Sequence, residues 1–359
     1  MKKIVQLLYP GIGGVSSVVF NIVEKNQIKN NWNDFLIFSG PHISKRNKDI
    51  LKDIKVDYFY NKSIKFLSFI TWHKIFFKIL KQKPDAILVH NFDIFPAILY
   101  KILFRKKIIY IDHFPHYGKI GNKLKLTYFF VKLFFDKLVV LNKEKLKFFK
   151  KKGFPKKKIE LIPNGIKEIK NLKNKIFSKN KLIIGMSSRI NNRKNHELII
   201  DTFNSKKLRN KNIFCYLAGD GEMAKDLKNK VKNLSLNKKI FFLGNLKNND
   251  LTKFYKKIDL YIQASKGEVL SISMLEAFNY QIPVIGSNVE GINNLLIPKR
   301  KIGILFNNNK KSLLNKIIFF YNLSYQKKLE YSKNQKKYFL KNFTSEKMFD
   351  GYKMLIEKL

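Results

Sequence analysis

Residues 258–287 read IDLYIQASKGEVLSISMLEAFNYQIPVIGS, and this stretch contains one complete unit of alternating structure. Its two short apolar runs, IDLYIQAS and IPVIGS, flank a helix-length segment. Nearly continuous apolar runs are typical of parallel strands that are covered on both faces. The stretch therefore predicts a strand, a loop that carries Glu268, a helix that carries Glu276 and a second parallel strand.

The same alternation extends over the rest of the chain. The second half adds the strand candidates LIIGMSS, IFCYLAG and KIFFLG, and the first half has KKIVQLLY, DFLIFSG, DAILVHN, KIIYIDH, KLVVLN and KIELIP. Helix-length segments such as NHELIIDTFNS and MAKDLKNKVKNL lie between them. This pattern indicates βαβ units and an open parallel sheet, and the second half repeats the first.

A domain boundary is predicted after IPNGI (162–166), because the stretch that follows is polar and rich in Lys and Asn. We expect an α/β protein of two doubly wound, Rossmann-like domains, 1–168 and 169–335, that face each other across a cleft. A length of 359 residues agrees with two domains, since single cores usually stop growing beyond roughly 250–300 residues. Residues 336–359 have the apolar spacing of a helix that either closes the second domain or packs back on the first.

Composition excludes several classes of protein. With 45% hydrophobic residues the chain can bury sizeable cores, so it is not a disordered basic tail. Its one cysteine, Cys215, excludes an intrachain disulfide and fits a reducing compartment. No segment supplies the roughly 18 consecutive apolar residues of a membrane-spanning helix, and the first apolar run, IVQLLY, is shorter than the core of a signal peptide. We expect a cytoplasmic protein, with at most peripheral contact at the inner face of the cytoplasmic membrane.

The formal net charge of +46 suggests a nucleic acid as a binding partner. Only six of the 72 basic residues are Arg, however, and Arg is the residue that contacts guanine by paired hydrogen bonds. The excess of Lys, Asn, Ile and Phe is typical of an AT-rich genome, and the charge is scattered along the chain. A basic nucleic-acid-binding protein stays an alternative, but we expect no nucleic acid as partner.

A separate hypothesis is that a basic face of the protein contacts anionic lipid. The segment SIKFLSFITWHKIFFKILKQK (63–83) combines apolar and basic residues, which suggests docking at an anionic membrane surface. An ordinary amphipathic helix that packs on the sheet explains the same pattern.

Two loops follow predicted strands and suit an anionic ligand. Gly13 and Gly14 lie between the first strand and a helix, where glycines let backbone N–H groups approach a phosphate; a tight turn explains them equally. Ser16 stands where the dinucleotide fingerprint requires Gly. Arg189 and Lys194 follow the strand LIIGMS, so they lie at the carboxyl end of a parallel strand and suit a diphosphate. A solvated basic loop is the alternative.

Glu268 and Glu276 are two carboxylates in a chain that is poor in acids. Carboxylates accept hydrogen bonds from sugar and ribose hydroxyls, and residues 271–273 would begin the helix with free N–H groups for phosphate. The alternative is that one of the two glutamates is simply an exposed helix residue.

The spacing E-x7-E in EVLSISMLEAFNYQIPVIGS resembles the donor-site motif of the family-4 retaining glycosyltransferases (glycosyl transferases group 1), which have the GT-B fold. Five other segments agree in order and spacing: GIGGV, IPNGI, SRINNRKNHELII, LAGDGEM and FLGNLKNNDLTKFYKKIDLYIQAS. The resemblance covers roughly residues 4–300 and is strongest from 160 to 296. It implies an N-terminal acceptor-binding domain and a C-terminal domain that binds a nucleotide sugar.

The resemblance also implies roles for residues of the second domain. Glu268 matches the Glu that contacts donor-sugar hydroxyls beside the reacting carbon, and Glu276 matches the Glu that binds the ribose. Arg189 and Lys194 match the pair that neutralises the departing diphosphate. Ser271 and Ile272 correspond to the helix start whose N–H groups bind phosphate.

In the first domain, the resemblance implies that Gly13 and Gly14 approach phosphate or acceptor. His113 matches a His near the acceptor and the reacting sugar; His116 is a rival for that role, and a structural His at the strand end is a further alternative. The chain also departs from the family pattern, with Val269 and Ser271 in place of two glycines and Asn294 in place of an acid.

We therefore expect a retaining, metal-independent glycosyltransferase without a cofactor. Its donor would be a nucleotide-diphosphate sugar that carries a hexose or N-acetylhexosamine. Its acceptor would be a saccharide, lipid-linked, in the synthesis of bacterial lipopolysaccharide, capsule or O-antigen. A sugar-nucleotide epimerase or a phosphorylase on the same fold, and a non-catalytic partner subunit, are the alternatives.

Overall fold

The computed structural model describes residues 1–9, 14–40, 43–62, 69–114, 121–172 and 174–358. These residues form two compact units: Met1–Lys167 together with Thr344–Leu359, and Glu168–Phe343. Each unit contains a parallel sheet with helices between the strands, so the predicted class of two parallel-sheet α/β domains is confirmed. Among the described residues, no helix is both long enough and apolar enough to cross a membrane.

The first unit has a seven-stranded parallel sheet of order β3-β2-β1-β4-β5-β6-β7 in its described part. The strands are β1 (Lys2–Leu8), β2 (Trp32–Gly40), β3 (Tyr58–Lys62), β4 (Ala86–Val89), β5 (Lys107–Asp112), β6 (Lys137–Val140) and β7 (Ile159–Leu161). Its helices up to the boundary are α1 (Gly14–Lys29), α2 (Lys45–Asp53), α3 (Phe69–Gln82), α4 (Ile94–Phe104), α5 (Asn122–Phe134) and α6 (Lys143–Lys151).

Helices cover both faces of this sheet because the strand order reverses at β1. On one face, Val19 and Val23 of α1 pack on Leu36 and Phe38 of β2. On the other face, the core is formed by α3 to α6 against the alternate side chains of the same strands. Burial on both faces explains why β1, β4 and β5 are nearly continuous apolar runs.

The second unit has a six-stranded parallel sheet of order β10-β9-β8-β11-β12-β13 in its described part. The strands are β8 (Leu182–Ser187), β9 (Ile213–Ala218), β10 (Ile240–Gly244), β11 (Leu260–Gln263), β12 (Val284–Ser287) and β13 (Ile304–Phe306). The helices are α7 (His196–Phe203), α8 (Lys206–Arg209), α9 (Ala224–Asn233), α10 (Asn248–Lys257), α11 (Ile272–Asn279), α12 (Lys310–Tyr321) and α13 (Tyr325–Asn342).

The segment 336–359, predicted as one helix, contains two elements. It holds the end of α13 and a separate helix α14 (Ser345–Glu357), whose N-cap Thr344 accepts a hydrogen bond from the backbone N–H of Lys347. Helix α14 belongs to the first unit, where it packs against α1. Phe349 of α14 stacks on Trp32 with 5.2 Å between ring centroids. The end of the chain thus completes the first unit and not the second.

Loss of the Phe349 ring should destabilise the first unit. Phe349 is fully buried, so Phe349→Ala should reduce the free energy of unfolding of this unit by about 3 kcal/mol or more, through lost burial and a cavity. Both tryptophans of the chain, Trp32 and Trp72, lie in the first unit, so tryptophan fluorescence in urea reports its unfolding.

The matched control is Met354→Ala on the same helix, where the side chain is 56% exposed and the change should stay within about 0.5 kcal/mol. Equal urea midpoints for the two variants would contradict the placement of α14.

Candidate active site

The loops that follow β8 and β11 meet at the carboxyl edge of the second sheet. A 3-10 turn over Asn192–Lys194 carries Lys194, and its N-cap Asn191 accepts a hydrogen bond from the Lys194 N–H at 3.1 Å. The backbone N–H of Lys266, in the loop after β11, donates to the carbonyl of Arg193 at 2.9 Å. This backbone contact brings Lys194 beside Glu268.

Three donors converge on one oxygen of Glu268. Its Oε1 accepts hydrogen bonds from Lys194 Nζ, from Ser265 Oγ at 2.8 Å and from Gln263 Nε2 at 3.1 Å. Both members of the Lys194–Glu268 ion pair are largely buried, with side chains 14% and 10% exposed. Glu268 is therefore held in one orientation by charge and by two neutral donors.

The segment Glu290-Gly291 packs against the loop that carries Glu268. Glu268 N–H donates to the Glu290 carbonyl at 3.0 Å. Gly291 has φ +76°, and a Cβ there would lie 1.8 Å from the carbonyl oxygen of Glu268. Only glycine fits this position, both for its backbone conformation and for the close approach.

Ser271 begins helix α11 as its N-cap. Its Oγ accepts a hydrogen bond from the N–H of Met274 at 3.4 Å and donates to Gln263 Oε1 at 3.2 Å. Ser271 has φ −76°, and Val269 also has no positive φ, so the loop adopts its shape without the two glycines of the family pattern. Ile272 is the first residue of α11, next to the helix N-terminus.

Glu276 lies in the second turn of α11 and is fixed by a buried tyrosine. Its Oε2 accepts a hydrogen bond from the Tyr255 hydroxyl at 2.7 Å, and Tyr255 stacks on Tyr280 with 5.0 Å between centroids. Burial first, and the charge of Glu276 second, raise the pKa of Tyr255 well above its usual range. Tyr255 therefore stays protonated and remains a donor to the carboxylate.

Arg189 is not part of the Lys194–Glu268 cluster. Its side chain is 72% exposed, and its Nε lies 3.3 Å from Glu222 Oε2. The loop that carries Arg189 packs closely on the loop after β9, where Gly219 has φ +126° and a Cβ would lie 2.0 Å from the Ser188 carbonyl oxygen. The diphosphate role that the resemblance gives to Arg189 stays a prediction.

His113 follows β5 in the first unit, in a loop that buried groups hold in place. Asp112 and Lys145 form an ion pair at 3.0 Å with both side chains fully buried, and Tyr128 donates to Asp112 at 2.9 Å. Lys145 also donates to the carbonyl of Phe114, so the loop is fixed on both sides of His113. Burial lowers the pKa of His113 to about 3, so its imidazole is neutral at physiological pH.

The remaining predicted site residues are partly outside the described part of the chain. Gly13 and His116 lie outside it, and Gly14 is the exposed first residue of α1. Among the described residues, no group of three or more His, Cys, Asp or Glu side chains is arranged to hold a metal ion.

Gln263 and Ser265, which donate to Glu268, are site residues that were not predicted from the sequence. Gln263 is fully buried at the end of an otherwise apolar strand, and that position was the signal in the sequence. A buried polar side chain needs hydrogen-bond partners, and here they are the site residues.

A comparison with solved structures identifies the class of fold. HepE from Anabaena, in complex with UDP and glucose, matches with a TM-score of 0.83 over 100% of both chains, at 17% identity. The two parallel-sheet α/β domains are those of the GT-B glycosyltransferases.

Comparisons of sequence add evidence on the family of this chain. Residues 167–338 match the family Glycosyl transferases group 1. The O-antigen biosynthesis glycosyltransferase WclY of Escherichia coli is 25% identical over 369 residues, which covers 96% of this chain and 95% of WclY. The UDP-Gal:alpha-D-GlcNAc-diphosphoundecaprenol alpha-1,3-galactosyltransferase of Escherichia coli is 27% identical over 299 residues, 76% of this chain and 72% of that protein. These matches support the glycosyl transferases group 1 family for this chain.

The Lys194–Glu268 pair should show strong energetic coupling. Lys194→Met leaves a buried carboxylate without its cation, which we expect to cost about 3 kcal/mol of unfolding free energy. The double variant Lys194→Met/Glu268→Gln should cost at least about 1 kcal/mol less than the sum of the single variants. Urea unfolding followed by circular dichroism measures these differences.

The control is Lys230, a more exposed lysine that pairs with both Glu197 and Asp201, where Lys230→Met should cost less than about 1 kcal/mol. Additive effects of the two changes at 194 and 268 would show that the two side chains do not interact in solution.

Proposed function

We propose that this chain is a retaining glycosyltransferase of family 4. It would transfer a hexose or N-acetylhexosamine from a nucleotide-diphosphate sugar to a lipid-linked saccharide, in the synthesis of a bacterial O-antigen or related surface polysaccharide. The observation that carries the proposal is the buried cluster of Lys194, Glu268, Gln263 and Ser265 beside the N-terminus of α11. The names of WclY and of the diphosphoundecaprenol galactosyltransferase support the acceptor class, and the UDP complex of HepE supports the donor class.

Transfer requires a charge to be stabilised as the donor diphosphate leaves. The bond between the anomeric carbon and the phosphate oxygen breaks, and negative charge develops on that oxygen. The Lys194 ammonium, held beside Glu268, and the N–H groups at the start of α11 supply preorganised positive charge for it. The protein itself would therefore provide the cations, without a metal ion.

The carboxylates would orient the donor. Glu268 has one oxygen fixed by three donors, which leaves Oε2 to accept from sugar hydroxyls beside the reacting carbon. Glu276, held by Tyr255, would accept from the ribose hydroxyls. Exposed Arg189 would leave Glu222 to contact the diphosphate when donor binds.

Retention of configuration follows when the acceptor attacks from the face that the diphosphate leaves. The acceptor oxygen forms the new bond to the anomeric carbon, and its hydroxyl proton passes to the departing diphosphate. His113, neutral and near the acceptor by the family resemblance, would orient a sugar hydroxyl and would not supply charge.

Removal of either central side chain should abolish transfer. Lys194→Ala and Glu268→Ala should each lower kcat by about 100-fold or more, since each removes charge placed for the transition state. Mass spectrometry of products from a panel of nucleotide sugars and lipid-linked acceptors measures transfer, and circular dichroism checks the fold.

The control is Lys311→Ala, an exposed lysine of α12 in the same unit, which should keep activity within about threefold. Full activity of either alanine variant at 194 or 268 would overturn the site assignment. A sugar 1-phosphate as product would indicate a phosphorylase, and an epimerised nucleotide sugar an epimerase.

We also propose that one helical face of the first unit docks on an anionic membrane, where a lipid-linked acceptor resides. Helices α3, α4 and α5 follow one another on the same face of the sheet. Among the described residues, this face exposes nine large apolar side chains: Ile70, Phe77, Leu99, Ile102, Leu103, Phe104, Leu126, Phe129 and Leu133. Arg105, Lys123, Lys125 and Lys132 are exposed between them.

An open groove on α3 extends this surface. It has a volume of about 700 Å³, an apolar lining of Phe59, Ile70 and Phe77, and a rim that includes Lys74 and Lys81. Apolar side chains among cations suit acyl chains beneath anionic head groups. Of the segment 63–83, which the sequence suggests as a membrane-docking element, residues 69–82 form α3, and residues 63–68 lie outside the described part of the chain.

Vesicle flotation tests this surface. The protein should float with vesicles of equal parts phosphatidylglycerol and phosphatidylcholine and remain unbound with phosphatidylcholine alone. Ile102→Ser/Phe129→Ser should lower the bound fraction at least about fivefold, because each side chain would lose roughly 1.5–3 kcal/mol of burial. Phe319→Ser, which changes an exposed apolar residue of the second unit, is the control. No flotation at low salt, or equal flotation of the double variant, would contradict the proposal.

A further inference from the structure

A row of polar side chains crosses one face of the first sheet and ends at His113. Gln6 lies in the middle of β1 and is fully buried between apolar neighbours. Its strand partners are Leu36 on β2 and Leu88 on β4. Asp34 precedes Leu36 by two residues and His90 follows Leu88 by two, so both lie on the face of Gln6. The register of the strands therefore places these three side chains next to one another on one face of the sheet.

Hydrogen bonds connect the row from end to end. Gln6 Nε2 donates to Asp34 Oδ1 at 2.8 Å, and Gln6 Oε1 lies 3.1 Å from His90 Nε2. His90 Nδ1 lies 3.0 Å from His113 Nε2, and the two rings stack with 5.3 Å between centroids. At the far end, Asn26 Nδ2 donates to Asp34 Oδ2 at 2.7 Å.

The chemistry of these groups gives each hydrogen bond a direction. Both oxygens of Asp34 accept from amides, which is the pattern of an ionised carboxylate and fixes the orientation of the Gln6 amide. The amide oxygen of Gln6 then faces His90 and accepts only, so His90 Nε2 carries the hydrogen. A neutral His90 has its lone pair on Nδ1, which therefore accepts from His113 Nε2–H.

Both imidazoles are neutral at physiological pH. Burial lowers the pKa of His90 well below its usual range, with a smaller effect from the neighbouring His113, and burial lowers the pKa of His113 to about 3. Gln6 has no titratable proton, so the row orients His113 and does not conduct protons.

We propose that Gln6, His90 and Asp34 are positioning residues that hold His113 as the Nε2–H tautomer, so that its Nδ1 accepts a hydrogen bond from a hydroxyl of the sugar substrates. The role of Nδ1 rests on the proposed function; the tautomer does not. An imidazole that accepts would select and orient a hydroxyl by the direction of its O–H bond.

NMR of protein labelled with [¹⁵N]histidine reads the tautomer directly. The chain has six histidines, and His113→Gln and His90→Gln assign the two signals. Wild-type His113 should show its hydrogen on Nε2 and a bare Nδ1. A hydrogen on Nδ1, or a cationic ring at pH 7, would overturn the proposal without any variant or substrate.

Gln6→Leu tests the row at its centre. Without the amide oxygen, His90 loses its fixed direction, so the ¹⁵N spectrum should show His113 in mixed tautomers. Transfer should lose at least about tenfold in kcat with KM for the nucleotide sugar unchanged, because the donor-binding residues are assigned to the second unit.

The matched control is Thr127→Val, which removes a buried hydroxyl of the same unit outside the row and should change neither the tautomer nor kcat. An unchanged His113 spectrum in folded Gln6→Leu would overturn the proposal. The expected tautomers together with no sugar transfer by the wild type would contradict the proposed function alone.

Discussion

The contact between Lys194 and Glu268 is the interaction on which the candidate site depends. Both charges are largely withdrawn from water, so neither is tolerated without the other. Their proximity requires the turn over Asn192–Lys194 and the loop after β11 to meet, and it requires Gly291 behind that loop. A buried ion pair adds little net stability compared with apolar packing, but it fixes orientation. Its value here is therefore the placement of a cation and a carboxylate at the start of α11.

The first unit repeats this arrangement with other residues. Asp112 and Lys145 form a fully buried pair that holds the loop of His113, as Lys194 and Glu268 hold the loops of the second sheet. In a chain with 72 basic and 26 acidic residues, most lysines have no acid to pair with and remain on the surface. Among the described residues, three ion pairs have both side chains largely buried. Two of them, Asp112–Lys145 and Lys194–Glu268, lie at the carboxyl edge of a parallel sheet, where ligands of such sheets bind, whereas Lys175–Asp259 lies at the amino edge of the second sheet.

The sequence predicts the second unit better than the first. The β11–loop–α11–β12 unit and the residues Glu268 and Glu276 follow from one continuous stretch, because their spacing is local. The edge strands β3 and β13 were not predicted, since both are short and β3 includes polar residues. The pairing of Arg189 with Glu222 joins loops after different strands, and the row from Asp34 to His113 depends on the register of four elements. Contacts of this kind are set by tertiary packing, which periodicity does not contain.

The hydrogen bonds of Gln6 show how a tertiary contact in the core can determine the state of a site residue. An apolar residue at this position would suit a strand covered on both faces, because a buried amide gains little unless all its hydrogen bonds are made. The strand nevertheless places an amide there, with its nitrogen on Asp34 and its oxygen on His90. Only one arrangement of hydrogens satisfies the whole row, so a residue in the core of the sheet determines which nitrogen of His113 can accept. The family match covers residues 167–338, which leaves out nearly all of the first unit. The chemistry of that unit is therefore best inferred from the polar side chains that its apolar strands bury.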